Sequence, residues 1–164
     1  MESKNSYSDE DIQTTFQRLN KKADILYRFV LLYSDYINRP HDYGNGQVMS
    51  MTEAHILSAI DRSPGITVTE LAKIWNRTKG AVSQTVSRLE RRGLVKKEQK
   101  EDNRKTILLY TTEKGRQCSL AHELYDIRGL TGILENLSRH CTMEEIDAFY
   151  KVAEVYSHLF TETP

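Results

Sequence analysis

The chain has 164 residues, 38% hydrophobic and 28% charged, which is apolar enough for a packed core and excludes a disordered polyelectrolyte. Its 23 basic and 23 acidic residues cancel overall but are unevenly placed: residues 77–105 hold ten basic and four acidic groups, residues 1–60 six against eight, and residues 106–164 five against nine. A neutral chain with a basic middle offers either a positive surface to a polyanion or a solvated, salt-bridged face.

The apolar run Phe29 to Tyr33 is too short to cross a bilayer, and the polar, acidic start MESKNSYSDED is unlike a secretory signal. Cys118 and Cys141 have neither metal-ligand spacing nor the density of a disulfide framework. A cytoplasmic protein with reduced, buried thiols is therefore expected.

In chain order, Ser8 is the expected N-cap of a first helix, with Asp9, Glu10 and Asp11 suited to its positive end. Ile12, Phe16, Leu19, Ala23, Leu26, Val30, Tyr33 and Ile37 then recur at steps of three and four, about seven turns of amphipathic helix. Pro40 and the DYGNG of residues 42–46 end it in a loop. Ser50 and Glu53 form a capping box before a second helix bearing Ala54, Ile56, Leu57 and Ile60. Pro64-Gly65 reads as a turn and 66–68 as a short extended piece. Thr67 with Glu70 then boxes a short helix whose inner side carries Leu71, Ala72 and Trp75.

Thr78 caps the next helix, TKGAVSQTVSRLERR. At 100° per residue, Ala81, Val82, Thr85, Val86 and Leu89 fall within about 140° of arc and are expected to pack inward. The opposite side carries Gly80, Ser83, Gln84, Ser87 and Arg91, flanked by Lys79 and Arg88. Gly93 is placed to stop this helix in the left-handed conformation. Residues 94–98 and 106–111 read as antiparallel strands around a polar QKEDNRK loop. Thr112 caps a long fifth helix, and Thr142 with Glu145 boxes a last one carrying Ile146, Phe149, Val152, Ala153, Tyr156 and Phe160.

Helix, helix, tight turn, helix and hairpin in that order make a winged helix-turn-helix. The fold expected is mainly α with a small β-hairpin wing and long terminal helices. Short side chains let the TKGAVSQ helix approach base edges, and glutamine suits adenine N6/N7. Absence of carboxylates avoids repelling phosphates, and the arginines at the far end suit the backbone rails. On the hairpin, Lys100, Arg104 and Lys105 are placed either for phosphates and the minor groove or as a solvated turn, with Asp102 two residues from Arg104 as its possible restraint.

On these residues the chain resembles the multiple-antibiotic-resistance regulator (MarR) family of bacterial transcription factors. ITVTELAKIW followed by TKGAVSQTVSRLERRGLVKK resembles that family's helix-turn-helix, and the D-x-R of Asp102 and Arg104 followed by TILLYTTEKG resembles its wing. Lys105 is a departure, standing where the family often has arginine or aspartate. The resemblance covers nearly the whole chain, 1–164, as a single unit. It implies a DNA-binding lobe at 50–112 and a helical dimerisation region at 8–39 and 113–164. It further implies a homodimer on a pseudo-palindromic double-stranded operator, usually a repressor, released by a small ligand between the dimer helices and the lobe. The expected DNA contacts are Thr67, Thr78, Lys79, Gly80, Ser83, Gln84, Ser87, Arg88, Arg91, Lys100, Asp102, Arg104 and Lys105.

Tyr33, Tyr36, His55, His122 and Tyr125 are candidates to line a site for a small aromatic or phenolic effector, or to pack at a dimer interface. His41, Asp42, His55, His122 and Glu123 are metal-ligating residue types, but no H-x-x-x-H occurs and no metal or cofactor is expected. No nucleophile–base set or phosphate loop appears, so no enzyme is expected. The alternative to a DNA-binding regulator is a winged helix docking an acidic protein partner through its basic face.

Overall fold

The computed structural model describes residues 9–44, 46–100 and 102–161, with side chains for all of these except Asp9, Glu10, Arg104 and Thr161. The Ser8 cap lies outside the described residues. Helix α1 (Asp9–Asn38) is followed by β1 (Pro40–Asp42), β2 (Val48–Ser50), α2 (Met51–Arg62), α3 (Val68–Ile74) and α4 (Lys79–Arg91). Strands β3 (Val95–Lys100) and β4 (Asn103–Thr111) form the wing, and α5 (Glu113–Leu137) and α6 (Met143–Thr161) complete the chain. This is a winged helix-turn-helix between long terminal helices. No described helix is long and apolar enough to cross a membrane.

Local chemistry sets the helix starts. Ser50 and Thr67 each accept from the backbone N–H three residues on, while Glu53 and Glu70 reach back to the cap N–H. Thr142 and Glu145 repeat that exchange before α6. Thr78 and Thr112 cap α4 and α5 by accepting from Ala81 N and Gly115 N. Gly93, at φ +70, ends α4 in the left-handed region that favours glycine.

The core lies within the winged lobe: Leu57 and Ile60 of α2, Leu71 of α3, Val82, Val86 and Leu89 of α4, and Leu94 and Leu109 of the wing are all buried. The helix-turn-helix is also tied to the wing through its backbone. Gly65 N donates to Leu109 O at 2.8 Å, and Leu109 N donates to Ile66 O at 3.0 Å, so Ile66 bridges β4 as a third strand fragment. The extended piece expected at 66–68 is therefore shorter, because Val68 already opens α3.

Three other expectations are corrected. The segment after α1 is an antiparallel ribbon, with His41 opposite Met49, that buries Tyr43 and Met49. The wing strands extend through most of the expected QKEDNRK loop, with Lys100 opposite Asn103. Ala81, expected inside, is exposed, because only Val82, Thr85, Val86 and Leu89 of α4 face the core.

The long helices behave differently from the lobe. Phe16, Leu19 and Val30 of α1, Ile127 of α5, and Leu159 and Phe160 of α6 stay exposed, and of the described α6 side chains only Ile146 is buried. Phe29 of α1 meets Phe149 of α6 edge to face at 5.7 Å.

Gly115, in the first turn of α5, is required by space: a Cβ there would overlap the backbone carbonyl of Leu94. Alanine gains at most about 1 kcal/mol of helix propensity, against an overlap with backbone that cannot rotate away. Gly115→Ala should be net destabilising, by about 1–3 kcal/mol as for other overpacked sites. Thermal unfolding of the two proteins checks this, and an unchanged or raised Tm would mean that α5 can slide off the wing.

Candidate nucleic-acid interface

Helix α4 buries one stripe and presents the other. Lys79, Gly80, Ser83, Gln84 and Arg91 are exposed, Ser87 is half-buried, and Ser83, Gln84, Ser87, Arg88 and Arg91 line one shallow polar depression. A Cβ on Gly80 would meet nothing within 4 Å, so the fold itself has no need of a small residue there. Thr78 is exposed as the α4 cap, whereas Thr67 is half-buried and occupied with Glu70, donating to its Oε2 at 2.7 Å. Hydrogen bonding and the Lys73 charge push the Glu70 carboxyl below its ordinary range, with Thr67 supplying the largest effect.

The basic residues divide into two sets. Lys97 pairs with Glu90 at 2.6 Å, and Lys96 pairs with Glu98 at 2.7 Å while lying 5.5 Å from the Tyr110 ring centre. Arg92 donates to Gln47 Oε1 at 3.3 Å. Arg88, expected to flank the DNA-facing side, is held by its own fold: Nε donates to Glu53 Oε1 at 2.8 Å and a terminal nitrogen to Thr85 Oγ1 at 3.1 Å. Among the described residues, Lys79, Arg91, Lys100 and Lys105 make no ion pair with a carboxylate, and all four are exposed. Asp102 is exposed at the wing tip; the Arg104 backbone belongs to β4, and its side chain, with the expected Asp102–Arg104 pairing, lies outside the described residues.

The candidate effector residues form a line of rings running from α1 into the lobe. Tyr33 meets Tyr36 at 6.4 Å, Tyr36 meets His41 at 5.5 Å, and His41 meets Tyr125 at 6.0 Å. Tyr43 then contacts both Tyr125 at 5.0 Å and His122 at 4.8 Å; His55 contacts His122 at 4.8 Å and Trp75 at 5.5 Å. Burial, then the Asp126 charge, pushes the Tyr43 hydroxyl up to about 12. Burial likewise lowers both His55 and His122, against the opposing pull of Asp126.

Tyr43 and Asp126 were missing from the expected site. Asp126 stands four residues after His122, so the available signal was a histidine followed on the same face by a carboxylate rather than by a second histidine. Cys118 is buried, while Cys141 is only half-buried, contrary to the expectation of two buried thiols.

Glu53 serves two partners: its Oε2 accepts from Ser50 N at 3.1 Å and its Oε1 from Arg88. Glu53→Gln can keep the cap while discharging the ion pair. The expected loss is about 1 kcal/mol or less at low salt, since Arg88 is half exposed, and it should shrink at high salt. Urea unfolding at two salt concentrations tests this; a salt-independent loss would place the effect in the cap.

Comparison with known proteins gives a consistent picture. Residues 49–105 match the model of the MarR family. The chain is 30% identical over 105 residues to YhjH, an uncharacterised HTH-type transcriptional regulator of Bacillus subtilis (strain 168), the match covering 64% of this chain and 59% of that relative. In structure it is similar to Streptococcus pneumoniae FabT in complex with DNA, at TM-score 0.61 and 24% identity over 90% of this chain and 99% of that one. It is also similar to Lactococcus lactis ZitR, a zinc-responsive MarR family member, at TM-score 0.65 and 17% identity over 87% and 99%. At those identities the two structural likenesses speak for the fold.

Proposed function

We propose that this chain is a transcriptional regulator of the MarR family, whose model matches residues 49–105, and that it acts in the cytoplasm as a homodimeric, sequence-specific repressor that binds double-stranded DNA. One observation carries the reading: the exposed side of α4 is small, polar and without carboxylates at Gly80, Ser83, Gln84 and Ser87, and Lys79 and Arg91 on that helix, with Lys100 and Lys105 on the wing, make no ion pair among the described residues. An acidic protein partner would be met by the cations but gives no reason for bare backbone at Gly80.

In this reading the lobe at 50–112 carries the DNA contacts, and 8–39 with 113–164 joins two copies. The front of α4 enters the major groove, where Gln84 pairs with an adenine edge while Ser83 and Ser87 offer donors and acceptors. Arg91 and Lys79 hold the backbone rails. Thr67 and Thr78 sit at helix N-termini, where backbone N–H groups favour phosphate. Arg88, restrained by Glu53, approaches a phosphate from a fixed position. The wing brings Lys100, Arg104 and Lys105 toward the neighbouring minor groove, with Asp102 steadying Arg104. Two lobes related by a two-fold axis then read a pseudo-palindrome whose half-sites lie about one DNA turn apart. A small aromatic or phenolic effector would act along the ring line of Tyr33, Tyr36, Tyr125, His122 and His55, which joins α1 to the lobe.

Two classes of substitution should fail differently. Gln84→Ala should cost about 1–3 kcal/mol on the preferred duplex and little on unrelated ones. Arg91→Ala should weaken all duplexes alike and reduce the salt slope by about one. Titrations on selected and random duplexes at several salt concentrations separate them; the same uniform loss from both would remove base reading from α4, and salt-insensitive binding would favour the protein-docking alternative.

The dimer is tested separately. Exposed apolar stripes on α1, α5 and α6 are larger than a monomer's surface ordinarily leaves open. Sedimentation equilibrium should give twice the 19.0 kDa chain mass at micromolar concentration; a monomer there overturns the dimer.

A further inference from the structure

From α2 and α5 we infer that His55, His122 and Asp126 form a binding site for a divalent transition metal of the zinc class. The three residues come from two helices, and one ligand atom from each lies within 4.8 Å of the others. Asp126 Oδ2 stands 3.2 Å from His122 Nε2 and 3.8 Å from His55 Nε2. Two ligands each about 2.0–2.1 Å from a tetrahedral zinc ion stand about 3.3–3.4 Å apart, so the two separations to Asp126 lie on either side of the required one, and all three atoms stay within 4.8 Å. Closing the site draws the two imidazoles toward each other from within 4.8 Å, an adjustment of about an ångström that side-chain rotation of the half-exposed His55 can supply.

The donor set fits the chemistry. Two imidazoles and one carboxylate suit a borderline cation such as zinc better than magnesium or calcium, which prefer oxygen alone. Three protein ligands leave a fourth tetrahedral position open to water, an arrangement that permits exchange with free metal.

A second observation separates this cluster from a packed polar seam. His122 is 2% exposed, yet its Nδ1 has no hydrogen-bond partner, and the buried Tyr43 hydroxyl across its ring has none either. Packing alone gives no reason for an imidazole at this position, since an orphaned buried polar atom is unfavourable. An imidazole beside a carboxylate and a second imidazole has a use that packing does not supply.

Metal here would join α2, the first helix of the lobe, to α5, the helix that leaves it. That occupancy should alter DNA affinity rests on the proposed function; binding itself does not, so the test is run without DNA. The chelator-treated full chain is titrated with cobalt(II), then with zinc(II). One cobalt per chain is expected, with the visible absorption of a tetrahedral nitrogen–oxygen site, displaced by one equivalent of zinc. Zinc at about a hundredfold above its Kd should raise Tm by roughly 5–10 °C.

Asp126→Asn and His55→Ala each remove a half-exposed ligand and spare the buried His122. Each should weaken cobalt binding by more than about tenfold, since loss of even an outer-sphere partner costs that much. Their metal-free unfolding should remain cooperative, which separates ligand loss from misfolding. No cobalt absorption at micromolar metal, or parental affinity in both folded variants, overturns the site; the second result would place the metal on other histidines.

Discussion

The backbone of Leu94 is the joint on which the functional half of the molecule depends. Leu94 N donates to Leu89 O at 2.9 Å, closing α4, and Leu94 O accepts from Thr112 N at 3.0 Å, opening α5. Thr112 Oγ1 meanwhile donates to Gly93 O at 2.7 Å and accepts from Gly115 N at 3.0 Å. The end of the exposed helix, the root of the wing and the start of α5 thus share one buried residue, and Gly115 lets α5 lie directly on it. In the proposed reading a duplex is met at two places, by helix and by wing, which requires the two at a fixed angle. Close packing against backbone supplies that angle more rigidly than side-chain contacts would.

Charge is apportioned on the same frame. Surface ion pairs contribute about 0–1 kcal/mol each, so Lys97–Glu90, Lys96–Glu98 and Arg88–Glu53 matter less for stability than for where they hold cations. Lys97–Glu90 joins the wing root to the last turn of α4, and Arg88–Glu53 joins mid-α4 to the cap of α2. Each pair partly neutralises its cation, whereas Lys79, Arg91, Lys100 and Lys105 make no ion pair among the described residues. A polyanion approaching this face therefore meets its positive potential at the rim and neutral donors and acceptors in the middle.

Much of the fold was legible because its signals are short-range. A capping box needs two residues three apart, and the boxes at Ser50, Thr67 and Thr142 all form, as does the glycine stop at Gly93. The small polar front of α4 was legible too, because a helical wheel needs only one segment. What escaped depends on distant partners. Arg88 and Glu53 are 35 residues apart, and nothing near Arg88 announces that its charge is taken. The ribbon of β1 and β2 is three residues a side, too short for a periodic pattern. Ala81 stands at the edge of the inward arc of the wheel, and at its turn of α4 it is Val82 that meets the core. The His55, His122 and Asp126 cluster escaped because two of its members share a helix while the third comes from another.

Helix α5 belongs to both halves of the molecule. Its first part buries Gly115, Cys118, Ser119 and His122 against the lobe, and its later part leaves Ile127 and Leu130 exposed beside the long helices. A 25-residue helix is a rod of about 37 Å, so a tilt at one end is carried to the other. The seam that sets its tilt against α2 is unusually polar, with the buried hydroxyls of Ser58 and Ser119 at 3.0 Å and the His55–Asp126–His122 group beside them. An apolar seam has one best packing, whatever the solution contains. A polar seam is satisfied in different ways by a proton, a water molecule or an ion, and each satisfaction favours its own spacing between the helices. Concentrating polar atoms at the contact between lobe and rod, rather than spreading them through either, places the fold's adjustable interaction where the smallest displacement moves the most structure.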